Sequence, residues 1–160
     1  MTHSRGFSLV EVVVATAICL TIVLGIVAAF VGTLRVSSGS TSRVQASFLE
    51  EEGLEAVRIL RDSSWSGNVA SLTSGTSYYL VYDGAAVTWK ATTTKQFIDG
   101  TFDRTFVLSD VYRDASKNIV VNGGTLDPTI KKVTVSVAWR EKNATTTHSL
   151  STHLTNIFNN

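Results

Sequence analysis

Residues 12–31 form twenty consecutive positions without a charge, and Glu11 stands directly before them. At ~1.5 Å of rise per helical residue, such a run reaches across the roughly 30 Å hydrocarbon core of a bilayer. Its side chains are mostly Val, Ile, Leu, Ala and Phe, with Thr16, Thr21 and Gly25 as small interruptions. Interruptions of that kind suit close helix–helix contact in lipid. The length, with no amphipathic period, predicts a membrane-spanning helix. A secretory signal peptide has a shorter apolar region, about 7–15 residues, and is cut after it.

Glu11 does not fit a simple anchor. It follows Phe7, Ser8, Leu9 and Val10, so apolar chain lies on both sides of it. A carboxylate at the bilayer centre costs about 2.5–3.5 kcal/mol on the insertion scale, and less near an edge. An amine partner would offset that cost. A cut after Gly6 would leave Phe7 with a free α-amino group, of usual pKa about 7.7–8.0, one helical turn from Glu11.

The hexapeptide Gly6-Phe7-Ser8-Leu9-Val10-Glu11 resembles the prepilin-peptidase motif of type IV pilins and type II secretion pseudopilins. Four elements coincide: Gly before Phe, Glu four residues after Phe, an uncharged run beyond, and a position at the extreme N-terminus. The short segment 1–6, with basic Arg5 just before Gly6, matches the family's leader. The resemblance implies cleavage between Gly6 and Phe7 by prepilin peptidase, methylation of the new N-terminus, and a role for Glu11 in assembly. It also implies as partners other pilin or pseudopilin subunits, an inner-membrane assembly platform and membrane lipid. The N-terminus would be cytoplasmic and the C-terminal domain outside, later in a periplasmic or cell-surface filament. Charge bias adds little to that orientation, since Arg5 lies on one side and Arg35 and Arg43 on the other.

The resemblance divides the chain into a leader (1–6), a transmembrane and assembly helix (7–34), an amphipathic continuation (35–62) and a globular β domain (63–160). The last segment, about a hundred residues, is long enough for one modest core. Beyond Asp62 nine Lys or Arg face seven Asp or Glu, scattered singly. With a formal net charge of +1 for the whole chain, there is no basic stripe to make nucleic acid an obligatory partner. Cys19 is the single cysteine and lies inside the apolar run, so no intrachain disulfide can form. Many pilins carry a C-terminal disulfide loop, and this chain departs from them.

The patch 37–42, Ser-Ser-Gly-Ser-Thr-Ser, reads either as a softened turn or, as in the family, as helix. Residues 44–61 have helical composition, and Phe48/Leu49, Glu52, Ala56 and Ile59/Leu60 follow the spacing of a core-facing stripe. Turn formers at 63–68 end the helix. Strand-like segments then follow at 78–82, 86–91, 95–98, 102–112, 119–121, 133–140 and 145–157. Asp83-Gly84 and Asp99-Gly100 are hairpin dipeptides. Val133, Val135, Val137 and Trp139 alternate with polar or small residues, and Leu150 and Leu154 share one face. The expected fold is α+β: a long N-terminal helix packed on a C-terminal antiparallel β-sheet.

No catalytic constellation is present, and no enzymatic activity is expected. His3 precedes the cut, and His148 and His153 differ by an odd number, so on one strand they point to opposite faces. Some pseudopilins bind calcium. Asp110, Asp114, Asn118, Asn122 and Asp127 supply hard oxygens near one loop, but their spacing matches no calcium-loop signature. The expectation is no cofactor and no metal, with Asp110, Asp114 and Asp127 as the candidates to inspect. Trp65 is the aromatic expected at the surface for adhesion, while Trp139 is in phase with three valines. Two readings remain: a filament subunit, and a membrane-anchored binding or adhesion domain that does not assemble.

Overall fold

The computed structural model of the protein describes residues 8–141 and 144–160, with backbone only at 35–39. The chain divides into two compact units, Met1–Thr41 and Ser42–Asn160. Helix α1, Leu9–Ser63, contributes residues to both. The helix continues through 37–42. The patch holds no proline, the one residue that would remove a backbone donor; Ser or Thr costs only tenths of a kcal/mol per position and the single Gly about 1 kcal/mol.

Within the second unit, α1 lies on one face of the sheet. Ala46, Glu50, Gly53, Leu54, Ala56, Val57 and Leu60 are buried. The expected stripe is therefore rotated. Phe48 is 67% exposed and Ile59 is 40% exposed, so these two point away from the sheet, while Glu52, also exposed, lies at its margin and reaches Arg104. The apolar pattern misleads because Glu50 and Gly53 occupy the inner face. Ser63 and Ser64 close α1, the Ser63 hydroxyl and the Ser64 amide both donating to the Leu60 carbonyl. Ser64 then caps a short helix α2, Trp65–Asn68, where a plain turn was expected.

Seven strands follow: β1 Ser77–Asp83, β2 Thr88–Thr92, β3 Phe97–Ile98, β4 Phe102–Arg113, β5 Ile119–Val120, β6 Thr125–Glu141 and β7 Ala144–Thr155. All pairings are antiparallel, in the order β2-β1-β4-β6-β7, with β3 and β5 also pairing β4. Asp99 and Gly100 both have positive φ (50° and 63°), as a tight hairpin turn requires. Asp83-Gly84 behaves differently. The Asp83 carboxylate accepts from the amides of Ala85 and Ala86, widening the loop until Val87 takes the positive φ.

Along β4 and β6 alternate residues face α1. Phe106 pairs with Val135 and Leu108 with Val133, all fully buried. A register shift between Asp110 and Tyr112 moves Val111 onto the buried face. The core has two apolar clusters. One contains Leu54, Val57, Leu60, Trp65, Phe106, Val133 and Val135, and the other Ala46, Phe102, Val137 and Trp139. Between them lie two buried charged side chains, Glu50 from the helix and Arg104 from β4.

Candidate assembly and processing site

The first unit presents an apolar surface. The span Leu9–Leu34 has a mean hydropathy of 2.8 over its most apolar window, and none of that window is buried. Its hydroxyls are satisfied within the helix: Thr16 donates to the carbonyls of Val12 and Val13, Thr21 to Ile18 and Thr33 to Ala29. A surface of this kind, long and free of unmet hydroxyls, fits a hydrocarbon solvent. Glu11 is the exception. It sits in the first turn of α1, exposed, and has no ion-pair partner among the described residues. Its place, two residues beyond Leu9, puts it ~3 Å along the axis from the start of the span, where a carboxylate costs less than at mid-bilayer. With Val12, Ala15, Thr16 and Cys19 it lines a shallow groove on the helix. Gly6 and Phe7 lie outside the described residues.

The three acidic candidates go to three separate partners. Asp110 accepts from the Ser74 hydroxyl and the Lys131 ammonium, and the Lys131 bond holds its carboxyl below the usual range. The Asp114 carboxylate accepts from the amide and side chain of Asn118, closing a turn; the amide bond is the main cause of its lowered pKa. Asp127 is pulled down to about 2 by the Thr129 hydroxyl, then by Arg113 at 2.7 Å and the Thr129 amide. Asn122 follows β5 and is exposed. Among the described residues no three His, Cys, Asp or Glu converge as a metal site.

The aromatic assignment needs correction for Trp65, which is 4% exposed and packed in the larger core cluster. It begins a capped helical turn whose amide donates to the Asn160 side chain, a long-range contact that turn-forming neighbours do not announce. Trp139 is core, as its phase with the valines implies. Trp89 is half-buried, edge-to-face with Tyr82, and the Arg104 guanidinium lies 5.4 Å from its ring centre. His148 and His153 do point to opposite faces, opposite Val137 and Lys132 respectively.

Sequence reasoning missed the buried ions. Arg104 donates to the Leu49 carbonyl and pairs with Glu52 Oε2 at 2.9 Å. Glu50, 2% exposed, has one oxygen 3.0 Å from His148 Nδ1, and its other oxygen has no partner. The one available signal was Glu52 falling within a core stripe, since it marked a helix face able to receive a cation. The outer face of α1 was also missed. Val44, Phe48 and Ile59 are exposed there, without a sheet or helix over them among the described residues.

Residues 1–31 match the family described as the prokaryotic N-terminal methylation motif. No curated protein and no solved structure matches the chain. The matched segment contains Gly6, Phe7 and Glu11 and extends through most of the apolar span. It implies processing by a prepilin peptidase and assembly with other pilin subunits, and the apolar helix fits membrane anchoring. By this motif and the apolar helix that carries it, the N-terminal part of the chain is type IV pilin-like.

Proposed function

We propose that the protein is a structural subunit, a minor pilin or pseudopilin, of a type IV pilus or type II secretion-like filament. Prepilin peptidase cuts between Gly6 and Phe7, and the new N-terminus is methylated. The helix is held in the inner membrane with its N-terminus cytoplasmic and residues 42–160 outside, until an assembly platform moves it into a filament. The observation that carries this reading is Glu11, a lone carboxylate in the first turn of an exposed apolar helix within the methylation motif. An anchor gains nothing from such a group. A filament subunit does, because the carboxylate meets a neighbour's N-terminal amine in a water-poor core, where a pair fixes register more than it adds stability.

The outer face of α1 supports the same reading. Val44, Phe48 and Ile59 lie where a neighbouring helix would cover them. The role is that of a building block, without catalysis or a cofactor. The test is N-terminal sequencing and mass analysis of the chain made together with a prepilin peptidase. The expected mature chain begins at Phe7 with a methylated amine. An uncut chain that stays in the membrane favours the anchored binding domain instead.

A further inference from the structure

The sheet has two edges of unlike character. One is assembled from short pieces: β2 has five residues, β3 and β5 two each. On that side the Lys90–Asp83 ion pair sits across the β1–β2 hairpin. The other edge is β7, twelve residues long and joined to β6 at every position from Ala144 to Thr155 without a register shift. Among the described residues nothing pairs with its far side. Such an edge offers unpaired N–H and C=O groups at alternate residues. Natural edges are blunted by Lys, Pro, bulges, short strands or a covering element. β7 has none of these, and contains no Lys, Arg, Asp, Glu or Pro.

We propose that β7 is a self-association edge, taking β7 of a second copy of this chain, antiparallel, about a two-fold axis at Leu150. The register follows from the strand itself. Even-numbered residues face the helix side, as the pairs Val135–Leu150 and Val137–His148 show. To keep both faces and the outward backbone groups in step, even positions must meet even positions. Centring the pair on Leu150 satisfies this and uses the strand from Thr145 to Thr155. Leu150 then lies opposite its twin, His148 opposite Thr152, Ser149 opposite Ser151 and Thr145 opposite Thr155. No like charges meet, hydroxyls face hydroxyls, and Leu150, 38% exposed at mid-strand, is covered. Leu154, already 2% exposed, does not need such cover.

The operator reverses the strand, and with it the part of α1 that lies on the sheet. It therefore joins domains meeting from opposite directions, such as subunits of two filaments lying side by side. It is separate from the head-to-tail contact that builds one filament, and does not depend on it. A single strand pair is a small interface, weak between two isolated chains and strengthened where many subunits are arrayed.

Disulfide trapping suits a weak contact. In an antiparallel pair directly opposite Cα atoms lie ~4.5 or ~5.5 Å apart, and both separations can be bridged. The experiment uses the full chain in detergent with Cys19→Ala, which removes the only native thiol. Leu150→Cys is oxidised beside Lys90→Cys, which is exposed on the opposite edge. The expected dimer yield at 150 exceeds that at 90 by about tenfold, since only the former sits at bridging distance from its twin. Ser149→Cys and Ser151→Cys chains, both altered on the solvent face, should form a mixed disulfide in preference to either homodimer. That pair also serves if Leu150→Cys fails to fold. Adding Leu150→Lys should abolish the mixed product, because two lysines would then meet at the axis. Equal yields at 150 and 90, a 150–90 mixed disulfide, or no dimer at either β7 pair would overturn the proposal.

Discussion

A Cβ placed on Gly53 of α1 would stand 2.8 Å from Cγ1 of Val135 on β6, closer than real Cβ atoms come. The absent side chain is what lets the helix seat against the sheet at this point. In a free helix Gly53→Ala should gain about 1 kcal/mol. Here the added methyl also meets Arg104 Cδ at 3.2 Å, so both neighbours would have to move. Gly53→Ala is expected to destabilise the domain by roughly 1–3 kcal/mol, the usual cost of overpacking. With Val135→Ala present, the same change should become neutral or favourable. Urea denaturation of the four proteins in this cycle reads the coupling; stabilisation by Gly53→Ala alone would show that the helix is not seated so closely.

The compact unit Ser42–Asn160 contains both core clusters and no cysteine. A chain beginning at Ser42 is expected to be soluble and to melt cooperatively, with or without reductant and chelator. Val135 is fully buried between Phe106 and Leu150 on the adjoining strands. Val135→Asp should cost more than about 3 kcal/mol, because it buries an unpaired charge. Circular dichroism during heating measures both. A melting curve unchanged by Val135→Asp would mean that this sheet face is not the core.

The features legible in sequence were those with a strict period or a strict length. The uncharged run marked the span, and the Val133–Val135–Val137–Trp139 alternation marked the buried face of β6. The rotation of α1 was not legible. Its inner face carries Glu50 and Gly53 beside Leu54, Val57 and Leu60, while Phe48 and Ile59 lie outside, so hydrophobicity alone does not fix the buried side. What overrides it is non-local: Arg104, His148 and Val135 are supplied by strands 50 to 100 residues further along the chain. The partners of the acids were not legible for a related reason. Asp110 and Asp127 are matched by Lys131 and Arg113 across strand pairs, and spacing along the chain does not reveal those partners.

Those acids predict how the domain responds to acid. Asp127 titrates at about 2 in the fold, below its ordinary 3.8, so the native state binds fewer protons than the unfolded chain in that window. Its contribution to stability is complete above about pH 4 and is lost as pH falls toward 2. Asp110 and Asp114 are shifted in the same direction and broaden the loss. Asp127→Asn should lower the urea midpoint by a constant amount above pH 5, with the gap narrowing from pH 4 to pH 2. A gap that stays constant down to pH 2 would mean that the carboxylate is not held by Thr129 and Arg113.

Glu11 separates subunit from anchor. Replacing it with Val removes a carboxylate near the start of the Leu9–Leu34 span, so insertion should be unchanged or improved. If the carboxylate meets a neighbour's amine during assembly, entry into filaments should fall at the same time, because that amine is left unpaired in a water-poor core. A chain that is only an anchor would gain in insertion and lose nothing. The measurement is the distribution of wild type and Glu11→Val between membrane and sheared-filament fractions, in a host carrying a complete assembly machine. Glu11→Gln, which keeps the shape and a hydrogen-bond acceptor but no charge, isolates the electrostatic part. A filament fraction reduced in both variants, with membrane levels maintained, is the expected result; equal recovery of Glu11→Val and wild type would remove the assembly role from this residue.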